Sequence, residues 1–186
     1  MTQTITLIRH GRTEANEKKI YCGSTDTDLS SAGVDELREL KKNILYPRAD
    51  VYAASGKRRT LSTLSILCGE TAPVIIPELS EYDFGDFEMK SHDELSNDPL
   101  YNEWIMNENA RCPNGESRNE FRSRVGAGLD KLKTFSGAVV CVCHGGVIAV
   151  LMEALFPGIA GFYEWQPGFG RGYTVGFGVD INYEVI

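Results

Sequence analysis

A chain of 186 residues, 42% hydrophobic and 24% charged, has the length and balance of one domain with a sizeable core, which excludes a disordered or fibrous protein. Its net charge of -7 and the absence of any Lys/Arg block set the surface against nucleic acid and anionic membrane, so a bound anion has to be held by a local pocket. No run approaches the ~20 apolar residues of a membrane span, the first residues lack the pattern of a secretory leader, and five scattered cysteines without a CxxC pair fit neither a disulfide framework nor a four-ligand zinc site. The expectation is a cytoplasmic protein with mostly reduced thiols and no metal.

In chain order, residues 4–8 read as a buried strand that breaks without a spacer into Arg9, His10 and Gly11. Residues 31–45 predict a helix with Val34, Leu37, Leu40 and Ile44 on one face. A second strand, 50–54, runs into Ser55, Gly56, Lys57, Arg58 and Arg59. The helix predicted over 57–68 puts Leu61, Leu64 and Cys68 on one side, and strand 73–76 leads by a short connection to Glu78 and Glu81. Residues 82–115, rich in Asn, Asp, Glu and aromatics, are the least regular stretch and the candidate cover over a site. A helix over 117–133 has the best-marked start in the chain, because Ser117 and Glu120 have capping-box spacing ahead of Phe121, Val125, Leu129 and Leu132. Residues 138–143 form a buried strand ending at His144, Gly145 and Gly146; a helix over 147–155 and one or two closing strands complete an α/β rhythm in a single domain.

Strand ends therefore carry the unusual residues. In open α/β sheets the carboxyl ends of the strands share one edge, where ligands bind, so Arg9, His10, Arg59, Glu81 and His144 should converge although they are far apart in sequence. Two of the three histidines fall at such ends, each followed by glycine; the third, His92, lies in the irregular stretch. Arginine forks and helix N-termini suit phosphate oxygens. The arginines also disfavour imidazolium, which keeps one histidine neutral as a nucleophile. A nearby carboxylic acid could protonate a leaving oxygen. The set points to phosphoryl transfer through a histidine without a metal, and spacing alone leaves open which histidine attacks.

The ordered motifs resemble the histidine phosphatase superfamily, the phosphoglycerate mutase-like family. RHGRTEAN matches its Arg-His-Gly hallmark with Thr13 and Asn16. SGKRR matches its Ser-x-x-x-Arg with Ser55 and Arg59, and ELSEYDFGDFE its acid-bearing segment with Glu81 and a second carboxylate at Glu88. NGES precedes the second histidine, His144, in CHGGVIAVL. The length resembles the compact α-ribazole phosphatase type. The resemblance implies a three-layer α/β/α sandwich with a largely parallel central sheet. It also implies His10 as the residue phosphorylated, Arg9, Arg59 and His144 as catalytic clamps on the phosphoryl oxygens, and Glu81 as general acid then base. Asn16, Gly11, Thr13 and Gly145 then serve as substrate-binding positions, the partner is a small phosphorylated metabolite, and no cofactor is required.

Four rivals stand beside this reading. CPNGESR, Cys112 to Arg118, matches the Cys-x-x-Gly-x-x-Arg signature of cysteine phosphatases, but the polar stretch before it is not strand-like and Pro113 removes an N–H donor. A zinc hydrolase lacks partners at i+2 to i+5 of either strand-end histidine. A non-catalytic phosphate-binding regulator would share the fold, and within the family a mutase would differ by shielding the phosphohistidine from water.

Overall fold

The computed structural model describes residues 3–186. Strand β1 (Gln3–Arg9) is followed by the one-turn helix α1 (Glu14–Glu17) and by α2 (Ser31–Asn43); β2 (Val51–Ala54) leads into α3 (Arg58–Cys68) and the short β3 (Val74–Ile75). Two 3-10 turns, Pro77–Leu79 and Gly85–Phe87, precede α4 (His92–Leu95) and α5 (Pro99–Met106). Then come α6 (Arg118–Lys133), β4 (Ala138–Cys143), α7 (Gly145–Leu155) and a hairpin of β5 (Gly172–Phe177) and β6 (Ile181–Val185).

The strands form one sheet in the order β3-β2-β4-β1-β5-β6. Strands β1 to β4 pair in parallel, while β5 runs antiparallel to β1 and β6 antiparallel to β5. Side chains alternate across β4: Val139, Cys141 and Cys143 join Phe121 and Val125 of α6 and Ile148 of α7, whereas Val140 and Val142 join Leu37 of α2 and Leu64 and Leu67 of α3. A period of two with both faces apolar is what a strand covered by helices on both sides requires. The result is the predicted sandwich, and Cys141 and Cys143 share one face as small apolar residues.

Local boundaries differ from the periodic reading for identifiable reasons. The capping box of α6 forms as expected, with Ser117 Oγ accepting from Glu120 N–H and Glu120 Oε2 accepting from Ser117 N–H at 2.8 Å. Helix α2 stops at Asn43, with Ile44 already extended at φ -116° and ψ 128°, and Leu45 is exposed; Pro47 just beyond disfavours helical backbone at Tyr46 and so gives the helix no way to resume. On α3 the buried stripe is Arg59, Thr60, Thr63, Leu64 and Leu67 rather than Leu61, Leu64 and Cys68. The threonines are tolerated there because their hydroxyls donate to the carbonyls of Lys57 and Arg59, both at 2.7 Å. Strand 73–76 contracts to two exposed residues at the sheet edge. Helix α7 begins at Gly145, two residues earlier than its apolar pattern suggests. Glycines are poor helix formers, but here a Cβ at residue 145 would sit 3.1 Å from the Arg9 guanidinium and one at 146 would sit 2.4 Å from Glu81.

Candidate active site

The parallel register of β1 and β4 pairs Arg9 with Cys143. The next residues, His10 and His144, therefore leave the sheet side by side at its carboxyl edge, with ring centroids 5.1 Å apart. Ser55 leaves the adjoining strand β2 at the same level, its N–H donating to the Val142 carbonyl at 3.3 Å. All three residues are buried, His144 completely and His10 to within 6%.

His10 Nδ1 lies 2.7 Å from the Gly11 carbonyl oxygen. A carbonyl only accepts, so Nδ1 carries the proton and Nε2 keeps its lone pair. The Gly11 N–H in turn donates to Thr63 Oγ1 at 2.8 Å, which ties the β1 end to α3. Burial, reinforced by Arg59 and Arg9 and opposed by the Gly11 hydrogen bond, lowers the His10 pKa from 6.5 to about 3. His144 is also held well below its ordinary value, by burial first and then by His10 and Arg59. Its Nε2 sits 2.8 Å from Ser55 Oγ. A Ser55 hydroxyl donating to Nε2 places the ring proton on Nδ1, the buried atom left without a partner.

Two guanidinium groups flank this pair. Arg9 is packed over the Phe169 ring at 4.2 Å and donates from Nη1 to the Pro167 carbonyl at 2.9 Å. Arg59 is 1% exposed and donates from Nη2 to Gly23 O at 2.8 Å and from Nη1 to Thr25 O at 2.7 Å. Arg58, its neighbour, faces solvent and pairs with Asp28 at 2.9 Å. The Nε atoms of Arg9 and Arg59 are buried and, like His144 Nδ1, without a hydrogen-bond partner.

Glu81 closes the site. One carboxylate oxygen accepts from Tyr82 N–H and the other from Gly146 N–H, both at 2.9 Å. Arg124 holds the approach to Glu81 in place by donating to the carbonyls of Glu78, Ser80 and Glu81 at 2.9, 2.8 and 3.2 Å. Beside these residues opens a cavity of about 610 Å³ whose wall includes Arg9, Asn16, Glu81 and Gly145, with Tyr21, Tyr82, Phe84, Trp104, Phe121, Phe162 and Tyr163 around it. His10, Arg59 and His144 are buried and are not part of that wall.

The positions read as substrate-binding divide into two kinds. Asn16 and Gly145 line the cavity. Thr13 is 1% exposed and caps α1, its hydroxyl donating to Asn16 Oδ1 at 2.9 Å, and Gly11 uses both its N–H and its carbonyl within the protein. Sequence reasoning did not find Phe169 beneath Arg9, Arg124 behind Glu81, or the rings of Phe162 and Tyr163. None has a spacing signal, because each reaches the site from a loop or a helix face remote in sequence. Cys112 is wholly buried in a turn in which Gly115 N–H donates to the Cys112 carbonyl at 2.9 Å. Burial pushes its thiol up to about 12, and Arg118 turns to the Trp104 ring and the Asn107 carbonyl. A thiolate nucleophile is the opposite case, so CPNGESR is a loop and helix entry. Among the described residues, no group of three or more His, Cys, Asp or Glu side chains is placed to hold a metal, and no helix is long and apolar enough to cross a membrane.

Known proteins similar to this chain include phosphatases and a mutase. The adenosylcobalamin/alpha-ribazole phosphatase of Salmonella typhimurium is 33% identical over 156 residues, covering 80% of this chain and 77% of that protein. The alpha-ribazole phosphatase from Shigella flexneri superposes with a TM-score of 0.85 at 26% identity, covering 98% of this chain and 95% of that one. The phosphoglycerate mutase from Thermus thermophilus superposes with a TM-score of 0.73 at 27% identity, covering 98% of this chain and 96% of that one. The family profile described as histidine phosphatase superfamily (branch 1) matches residues 5–166, and because that match spans most of the chain and takes in both strand-end histidines and the four parallel strands, the chain belongs to this superfamily.

Proposed function

We propose that the chain is a phosphatase that hydrolyses a small phosphomonoester through a phosphohistidine formed on His10. One observation carries the reading: His10 keeps its Nε2 lone pair while two buried donors that flank it, Arg9 Nε and Arg59 Nε, have no partner. An unpaired buried donor costs about 1–3 kcal/mol, and the anionic oxygens of a phosphoryl group would satisfy both. Nε2 attacks phosphorus as the bond to the leaving oxygen breaks, and Glu81 gives that oxygen its proton. Water then attacks the phosphohistidine, losing a proton to Glu81, and the electron pair of the P–N bond returns to Nε2. The arginines supply the positive charge that stabilises the developing oxyanions, a task that needs no metal.

Asn16 and Gly145 face the substrate in this scheme, Gly11 sets the His10 tautomer, and Thr13 braces Asn16. Residues 82–115 act as the cover, since Tyr82, Phe84, Trp104, Ile105 and Glu108 line the cavity. That aromatic wall favours a leaving group with ring or apolar surface, which makes α-ribazole 5′-phosphate the first compound to test, and we read the cytoplasm as the compartment. The test is a rapid quench with a ³²P-labelled substrate. Label should appear on the protein, acid-labile and base-stable, and be lost in His10→Ala along with turnover. Wild-type turnover in that variant would refute the assignment. Transfer of label to a second substrate molecule in preference to water would establish the mutase.

A further inference from the structure

We infer that Glu88 is a positioning residue for this reaction, acting through the peptide between Gly23 and Ser24 to aim the Arg59 guanidinium at the phosphoryl group. The inference rests on Arg59 clamping the phosphoryl oxygens as proposed above. Glu88 follows the 3-10 turn Gly85–Phe87, and its carboxylate is surrounded by donors, all but one of them from a single loop. It accepts from the N–H of Gly23 at 3.0 and 3.1 Å, of Ser24 at 2.8 Å and of Thr25 at 3.3 Å, from the Thr25 hydroxyl at 2.7 Å and from Phe84 N–H at 3.2 Å. Among the described residues no cation forms an ion pair with it. Its charge is met by peptide dipoles, as in the anion-binding concavities that successive N–H groups make.

The other side of the same loop holds Arg59, through the carbonyls of Gly23 and Thr25. In a trans peptide the N–H and C=O point in opposite directions. With the Ser24 N–H on Glu88, the Gly23 carbonyl has to point away from Glu88, and there it meets Arg59. Carboxylate, peptide and guanidinium then lie in series, each polarising the next. The two carbonyls fix the plane of the guanidinium and leave Nε, buried and without a partner, for a phosphoryl oxygen. The loop packs closely at this point, since a Cβ at Gly23 would lie 1.7 Å from the Tyr82 carbonyl oxygen. Removing the carboxylate would leave the N–H groups of Gly23, Ser24, Thr25 and Phe84 facing no acceptor, and the loop would turn its own toward water, taking the carbonyls off Arg59.

The test is a double-mutant cycle of Glu88→Gln and Arg59→Ala, with kcat and KM measured on a nitrophenyl phosphate and an alkyl phosphate and folding checked by thermal melt. Glu88→Gln should lower kcat by roughly 10- to 100-fold, a part of what an oxyanion donor supplies, by the same factor on both substrates because no leaving-group proton is involved, with KM moved less. In the Arg59→Ala background the same substitution should cost no more than about twofold, the signature of two groups acting as one unit. A merely structural role would multiply the two losses and overturn the inference while leaving the clamp in place. Near-wild-type turnover of Arg59→Ala would overturn the site reading and this inference with it. Should Glu88→Gln fail to fold, Thr25→Val, which removes only the 2.7 Å bond, goes through the same cycle, where coupling to Arg59 supports the inference and multiplied losses overturn it.

Discussion

Acidification from pH 7 to about pH 5 should destabilise the fold, and the buried state of His10 sets a magnitude for its share. In the unfolded chain the imidazole titrates at its ordinary 6.5, whereas in the fold burial and Arg59 lower it to about 3. Between these values the unfolded chain binds a proton that the native protein does not. Stability is therefore present in full above about pH 6.5 and is lost progressively as the pH falls toward 3. Integrating that difference from pH 7 to pH 5 gives about 2 kcal/mol for this one group. His144 contributes in the same direction. Urea unfolding of wild type and His10→Asn at both pH values isolates the term, because the other titrating groups remain in both proteins. Wild type should lose about 2 kcal/mol more than the variant, a midpoint shift of roughly 1 M at ordinary m-values. Equal losses in the two proteins would refute the claim that His10 is held neutral by its surroundings.

Glu81→Gln should lower kcat/KM by about 10² to 10⁴ on alkyl phosphates, whose leaving oxygen needs a proton, and far less on a nitrophenyl phosphate; equal losses on both would point to a binding or structural role for Glu81. Cys112→Ser should leave kcat nearly unchanged, since the thiol is buried with its pKa pushed up to about 12, and near-total loss would restore the cysteine phosphatase reading. Iodoacetamide should label Cys112, Cys141 and Cys143 only slowly in the native protein, because all three are wholly buried; fast labelling with the fold retained would contradict their placement.

Much of this molecule was legible in its sequence. The Ser117–Glu120 capping box, the alternation of β4 and the convergence of strand ends follow from local chemistry: hydrogen bonds three residues apart, a side-chain period of two, and the shared edge of parallel strands. These interactions span a few residues or follow from sheet geometry in general, so the amino-acid pattern suffices to declare them. Other features required the closed chain. The pairing of Arg9 with Cys143 decides that the two histidines meet, and the Gly11 carbonyl decides that Nε2 of His10 is the free atom. The start of α7 at two glycines packed against Arg9 and Glu81, and the bond between Glu88 and a loop more than sixty residues away, were equally invisible. Each is a contact between groups distant in sequence, and its existence depends on strand register and on which side of an element faces inward, quantities that packing of the whole chain sets and no local pattern contains.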